Sequence, residues 1–147
     1  MVTVSSIPHS DVTYKIIGAA MAVHNRVGPG HKEAVYQGML TDEMLSRGLT
    51  VEPERKVEIS VSDTVYGLLY IDHLVNGCVI LECKALAHLL TAEEVAQVIT
   101  YLAATGFPVG LLLNFGRLRL QHKRILRPAK LDAWQERIAR YLWRPGK

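Results

Sequence analysis

Two apolar runs, Cys78–Leu81 and Val109–Phe115, constrain this fold more than any other feature of the chain. Apart from Asn114, successive residues are apolar in each, so both faces of each pleated strand must be covered. Between them Thr91 and Glu94 form a capping box that opens a helix. Its core stripe is Val95, Val98, Ile99 and Leu102, and Gly106 closes it. A strand, helix and strand in this order imply a parallel pair joined by a right-handed crossover. The middle of the chain is therefore predicted to form the centre of a mixed α/β sheet.

The flanking segments fill in the rest. A first helix is predicted over Asp11–Arg26, ended by the glycine and proline of Val27–Gly30. A second is predicted over His31–Arg47, stopped by Gly48. Strands follow at Val51–Ser62 and Val65–Val75, then a turn at Asn76-Gly77 leads into Cys78–Lys84. Arg117–Gln121 alternates like an edge strand, and a last helix over Ala129–Leu142 would bury Leu131, Trp134, Ile138 and Tyr141. The expected order is ααβββαββα.

The 147 residues suit one domain, 1–147, with a core over about 11–125 and a basic helical tail over 126–147. Residues 117–147 hold ten of the 17 Lys and Arg against two acids, a local charge of +8 on a body of −5. A basic end on an acidic body is a nucleic-acid footprint or a solvated tail, and charge alone does not separate them. No apolar run reaches the ~18 residues of a membrane span, and "MVTVSSIPHS" lacks the pattern of a signal peptide. Cys78 and Cys83 lie roughly 16 Å apart along one strand, too far to bridge. Free thiols and no leader suggest a cytoplasmic protein.

Glu82 and Lys84 sit at the end of the first apolar run and share a strand face, while Cys83 points away. Buried charge is costly unless paired or bound to a metal. One reading pairs Glu82 with Lys84 at a solvated strand end. The other joins Glu82 to Asp72, so that two carboxylates grip a hard cation. The turn at Asn76-Gly77 decides between them. A two-residue type I′ turn pairs Val75 with Cys78 and points Asp72 away from Glu82. A three-residue loop, Val75-Asn76-Gly77, pairs Leu74 with Cys78 and makes Glu82 the diagonal neighbour of Asp72 at ~7–8 Å. The need of Glu82 for a partner favours the second register. A plain I′ turn with no compensating bulge would remove the site.

Asp72 followed by Glu82-Cys83-Lys84 resembles the Asp…Glu-x-Lys signature of the PD-(D/E)XK nuclease superfamily. Gln97 and Tyr101 resemble the Gln-x-x-x-Tyr motif of its RecB-like branch. Gly30, Glu33 and Tyr36 match the pattern that names the small GxxExxY proteins of that superfamily, and Ile99–Gly116 is similar to their C-terminal half. The usual proline before the aspartate is replaced by Ile71. The resemblance covers about Asp11 to Ile125 and implies a restriction-endonuclease-like αβββαβ core, here with an extra C-terminal helix.

It also implies a nuclease that hydrolyses phosphodiester bonds, in DNA by superfamily habit, with a metal-activated water. Asp72, Glu82 and the Cys83 carbonyl would hold Mg²⁺, with Mn²⁺ as a substitute, and Glu33 would bind directly or through water. Lys84 would sit beside the attacking water or the developing oxyanion. Gln97 would orient Lys84 or a water, and Tyr101 would contact phosphate or brace Glu33. Tyr36, Arg117, Arg119, Lys123 and Arg124 are the expected nucleic-acid contacts, with no sequence readout. No helix-turn-helix, zinc finger or aromatic stacking row suggests base recognition. The small surface of one domain suggests a homodimer. A noncatalytic nucleic-acid-binding module, or an interaction domain on the same fold, is the alternative. His24 is expected in the core and His73 on the face opposite Asp72.

Overall fold

The computed structural model describes residues 7–61, 63–128 and 140–143. Two helices, α1 (Ser10–Val27) and α2 (Glu33–Ser46), precede the antiparallel strands β1 (Val51–Val61), β2 (Thr64–Val75) and β3 (Val79–Lys84). The crossover helix α3 (Ala92–Thr105) leads to β4 (Val109–Asn114), followed by β5 (Gln121–Leu126) and β6 (Arg140–Trp143). The sheet order is β5-β4-β3-β2-β1-β6. Among the described residues only β3 and β4 pair in parallel, as the strand-helix-strand pattern requires.

Both faces of the central pair are covered. Leu81, Cys83, Leu111 and Leu113 pack with α1 and α2 around Ile16, Val23, Tyr36 and Leu40. Ile80 and Leu112 pack on the other face with Val98, Tyr101 and Leu102 of α3. The alternation of strand side chains explains why every residue of β4 is buried. The capping box at Thr91 forms as expected: its Oγ1 donates to Glu94 Oε2 at 2.6 Å, and its N–H donates to Glu94 Oε1 at 3.1 Å.

The hairpin between β2 and β3 combines the two turn types weighed above. Asn76 and Gly77 both have positive φ, 50° and 65°. Cys78 N–H donates to the Val75 carbonyl at 3.0 Å, as in a type I′ turn. The ladder nevertheless pairs Val75 with Val79, Leu74 with Ile80 and His73 with Leu81. Cys78 is thus an inserted residue, the compensating bulge that parity demands. The expected three-residue shift is present, but the loop is Asn76-Gly77-Cys78, one residue later than Val75-Asn76-Gly77. Continuing that register sets Asp72 opposite Glu82 rather than diagonal to it.

Two elements differ from the sequence reading. The strand expected at Arg117–Gln121 lies at Gln121–Leu126, and residues 116–119 are bends. The chain leaves β4 by folding back on β3: Phe115 N–H donates to the Lys84 carbonyl, and Gly116 N–H donates to Asn114 Oδ1. The return begins only at Gln121, opposite Asn114, and Leu118 of the alternating run is 88% exposed. Residues 129–139 of the expected last helix lie outside the described residues. Arg140–Leu142 belong to β6, which pairs with Val57–Ser60 on the outer edge of β1. The open backbone edge of β1 supplies hydrogen bonds that a helical ending could not make there.

Candidate active site

The β2–β3 ladder stops at His73 and Leu81, and two carboxylates replace its next hydrogen bonds. Asp72 N–H donates to Glu82 Oε1 at 3.1 Å, and Cys83 N–H donates to Asp72 Oδ2 at 3.0 Å. Each acid is thus fixed by the backbone of the opposite strand. The alternation of β2 also slips here. Ile71 packs with the α3-side core, whereas His73, two residues on, meets Thr41 Oγ1 of α2 at 2.8 Å. In a regular strand they would share a face, so the slip at Asp72 re-aims that side chain.

Glu82 is 2% exposed. Burial, and then the charge of Asp72, push its carboxyl up to about 8. Glu33, at the start of α2, is also raised, first by burial and then by Asp72. Lys84 opposes the rise at both acids. Glu33, Asp72, Glu82 and Lys84 therefore form one electrostatic cluster, although Glu33 comes from a different layer of the fold. Lys84 does not form an ion pair with Glu82, whose Oε1 instead accepts from Asp72 N–H. The reading of Glu82 and Lys84 as a self-satisfied strand-end pair is overturned.

On α3, Gln97 Nε2 donates to the Tyr101 hydroxyl at 2.9 Å. Burial and then Glu82 push the Tyr101 hydroxyl up to about 12, so it keeps its proton. A hydroxyl that accepts from Gln97 still has that proton to donate on the carboxylate side. Gln97 and Lys84 line one cavity of about 550 Å³ at the end of β3. Cys83 sends its thiol to the opposite face, where burial raises it well above its usual range.

The expected nucleic-acid contacts separate. Tyr36 is fully buried and stacks on Phe115 at 4.7 Å. Its hydroxyl donates to the Gly28 carbonyl at 2.6 Å and accepts from His31 N–H at 3.2 Å. It clamps the α1–α2 loop from within the core and presents nothing to a ligand. Lys123 opposes Leu112 and Arg124 opposes Leu111, so the two occupy opposite faces of β5. Arg124 Nε donates to Thr13 Oγ1 of α1 at 2.8 Å. Arg117 Nη1 donates to the Ala87 carbonyl at 3.2 Å, and its own carbonyl meets His24 Nε2 at 2.9 Å. Arg117 and Arg119 line a cavity of about 710 Å³ beyond β3 and β4. These basic residues do not form a single row along one edge. His24 is a core residue, as expected.

Sequence reasoning missed Asn114, which is fully buried at the end of β4 beside Lys84. Its Oδ1 accepts from Leu86 N–H at 2.8 Å and Gly116 N–H at 3.1 Å, and its Nδ2 donates to the His88 carbonyl at 3.0 Å. It ties the chain leaving β3 to the chain leaving β4. A Cβ on Gly116 would come within 2.3 Å of the Leu86 carbonyl, so only glycine fits between these segments. An asparagine after a buried apolar run was the available signal.

The donors present fit a hard divalent cation. No three His, Cys, Asp or Glu side chains among the described residues cluster closely enough to hold one ion. Mg²⁺ does not need three, since it binds through one or two carboxylates and keeps several waters. The backbone bonds at Asp72 and Glu82 use Oδ2 and Oε1, and neither engages Oδ1 or Oε2. Burial and then Asp72 raise the Glu82 carboxyl, and a cation beside it would lower it.

The comparisons bear on the family and the fold. No curated protein matches the chain. A solved structure titled "Crystal structure of SSO0001" is similar in fold, with a TM-score of 0.51 at 16% identity, over 88% of this chain and 68% of that one. The sequence profile of the PD-(D/E)XK nuclease superfamily matches residues 10–125, which span every site residue from Glu33 to Tyr101. Proteins of this superfamily generally hydrolyse phosphodiester bonds and typically use divalent metals. The chain belongs to the PD-(D/E)XK nuclease superfamily.

Proposed function

We propose that this protein is a Mg²⁺-dependent nuclease that cuts DNA at the ends of β2 and β3, in the RecB-like, GxxExxY group of its superfamily. The observation that carries the reading is the facing pair Asp72 and Glu82, braced by each other's strands, with Lys84 two residues on and out of ion-pair range of Glu82. A core without a ligand has no use for that arrangement, because uncompensated buried charge destabilises it.

The free oxygens of Asp72 and Glu82 and the Cys83 carbonyl would hold the cation, and Glu33 would approach it from α2. When bound, the ion would supply charge neutralisation and Lewis acidity at the scissile phosphate. Lys84 presents an ammonium to the non-bridging oxygen where negative charge grows during attack. Gln97 fixes Tyr101, and the Tyr101 hydroxyl holds a proton for the carboxylate side of the site. Asn114 and Gly116 hold the chain around Lys84 in place.

A cleavage panel tests this: single-stranded, duplex, flapped and junction DNA, and RNA, each with Mg²⁺ or Mn²⁺. The expected result is cleavage that needs the metal and disappears in Lys84→Ala while binding persists. No cleavage of any substrate would contradict it. So would cleavage that survives in Lys84→Ala, Asp72→Ala and Glu82→Ala alike.

A further inference from the structure

The outer half of β2 carries an exposed aromatic row that the catalytic reading does not use. Tyr66 is 74% exposed, Leu68 47% and Tyr70 49%. They alternate with Gly67, Leu69 and Ile71, of which Leu69 and Ile71 pack toward α3. Leu68 and Tyr70 therefore share the opposite face of the sheet, and Tyr66 stands at the bulge where the β1–β2 register shifts between Ile59 and Ser60. The spacing of the tyrosines along the strand is ~13 Å, and Asp72 follows Tyr70 by ~6.6 Å.

Three observations indicate what covers this face. Tyr70 and Asp72 line the same cavity, of about 370 Å³, between β2 and the Ala34–Thr41 stretch of α2. The row thus ends at Asp72, one member of the candidate site. Lys56, paired with Tyr70 across the β1–β2 ladder, holds its ammonium 5.8 Å from the ring centroid. The ammonium lies over the ring face, so a base that stacks there takes its place and frees the cation for the adjoining phosphate. Leu68, 47% exposed between the two tyrosines, gives the middle of the row an apolar surface, with the half-buried Glu58 opposite it.

We propose that this face is a stacking platform for an unpaired DNA strand, which passes over Tyr66 and Tyr70 and delivers its phosphate to Asp72 and Glu82. The proposal rests on the nuclease reading and names its substrate class: single-stranded DNA, or the single-stranded arm of a flap. A duplex keeps its base faces stacked within the helix, so tyrosines on a sheet surface engage only bases that are already unstacked. The base nearest the scissile phosphate stacks on Tyr70 at the mouth of the cavity, and Lys56 meets the adjoining phosphate.

The test is fluorescence anisotropy of a labelled single strand and of its blunt duplex, in EDTA, with the full chain. Wild type is expected to bind the single strand more tightly than the duplex. Replacing Tyr66 and Tyr70 together by Ala should weaken single-strand binding by about tenfold or more, with duplex binding unchanged. Both positions are exposed, so the fold should survive, and Tyr70→Trp should restore the affinity. Unchanged single-strand binding in the double variant would overturn the proposal, as would a wild type that binds no DNA. Loss of a dimer in the double variant without DNA, seen by sedimentation, would assign the face to a second copy and also overturn it. Cleavage that depends on Lys84 but ignores the tyrosines would remove the platform and leave the nuclease reading. Tyrosine-dependent binding with no cleavage would do the reverse.

Discussion

Among the described residues two carboxylates are buried, one at the end of β3 and one in the first turn of α3, and they are treated oppositely. Glu94 receives a hydroxyl and an N–H from Thr91, and these bonds hold its carboxyl below the ordinary range. Glu82 receives one backbone N–H and faces a second acid, and its carboxyl is pushed up to about 8. Both are less than a tenth exposed. Burial alone therefore does not identify a functional acid. What differs is the leading cause: hydrogen bonds from Thr91 come first at Glu94, whereas burial and then the charge of Asp72 come first at Glu82, with Lys84 offsetting only part of the rise.

The largest effect that could break this contrast is on activity. Glu82→Gln should lower cleavage by roughly a thousandfold or more, since it removes a cation ligand and the charge that holds it. Glu94→Gln should stay within a few fold of wild type, because glutamine can still serve the cap. Equal losses in the two variants would dissolve the distinction.

The next effect is on stability against pH. With the metal chelated, the carboxyl of Glu82 ionises at about 8 in the folded protein and near 4.5 when unfolded. The folded state then holds a proton that the unfolded chain releases, so this contribution is full below 4.5 and lost as pH rises through about 8. The loss is on the order of a few kcal/mol. Denaturant melts across that range should show the decline, and Glu82→Gln should flatten it. Saturating Mn²⁺ near pH 8 should restore stability to wild type but not to Glu82→Gln. Glu94 acts in the other direction: its contribution is present above 4.5 and lost as pH falls below it.

The smallest effect sharpens the cap side. Thr91→Ala should cost about 1 kcal/mol by removing the N-cap, with cleavage unchanged. A large loss of cleavage in this variant would mean that the cap region takes part in the site.

Much of this was legible in the sequence. Buried strands on either side of an amphipathic helix specify the parallel pair β3 and β4, because a continuous apolar run has no other stable place. The site cluster was legible through the spacing of Glu82 and Lys84, and through the parity of the hairpin. The inserted residue was misplaced by one, since Val75 and Cys78 are both apolar and pattern alone does not tell a paired residue from a bulged one. Arg117–Gln121 alternates as a strand should, but the side chain of Asn114 and the glycine at 116 hold the chain against β3 first. Tyr36 looked available because helical spacing sets it beside Glu33. Its ring instead fills the core against Phe115, a contact 79 positions away in sequence that helical periodicity does not contain. The aromatic row on β2 was overlooked because alternation marks a face without telling whether a helix covers it.

Calorimetric titration of Mn²⁺ into the metal-free protein, near pH 7 in buffers of different ionisation enthalpy, tests the central claim most directly. The account predicts binding that releases a proton from Glu82, is lost in Asp72→Asn and Glu82→Gln, and is retained in Glu94→Gln. No binding to wild type, or binding that survives in both Asp72→Asn and Glu82→Gln, would contradict it.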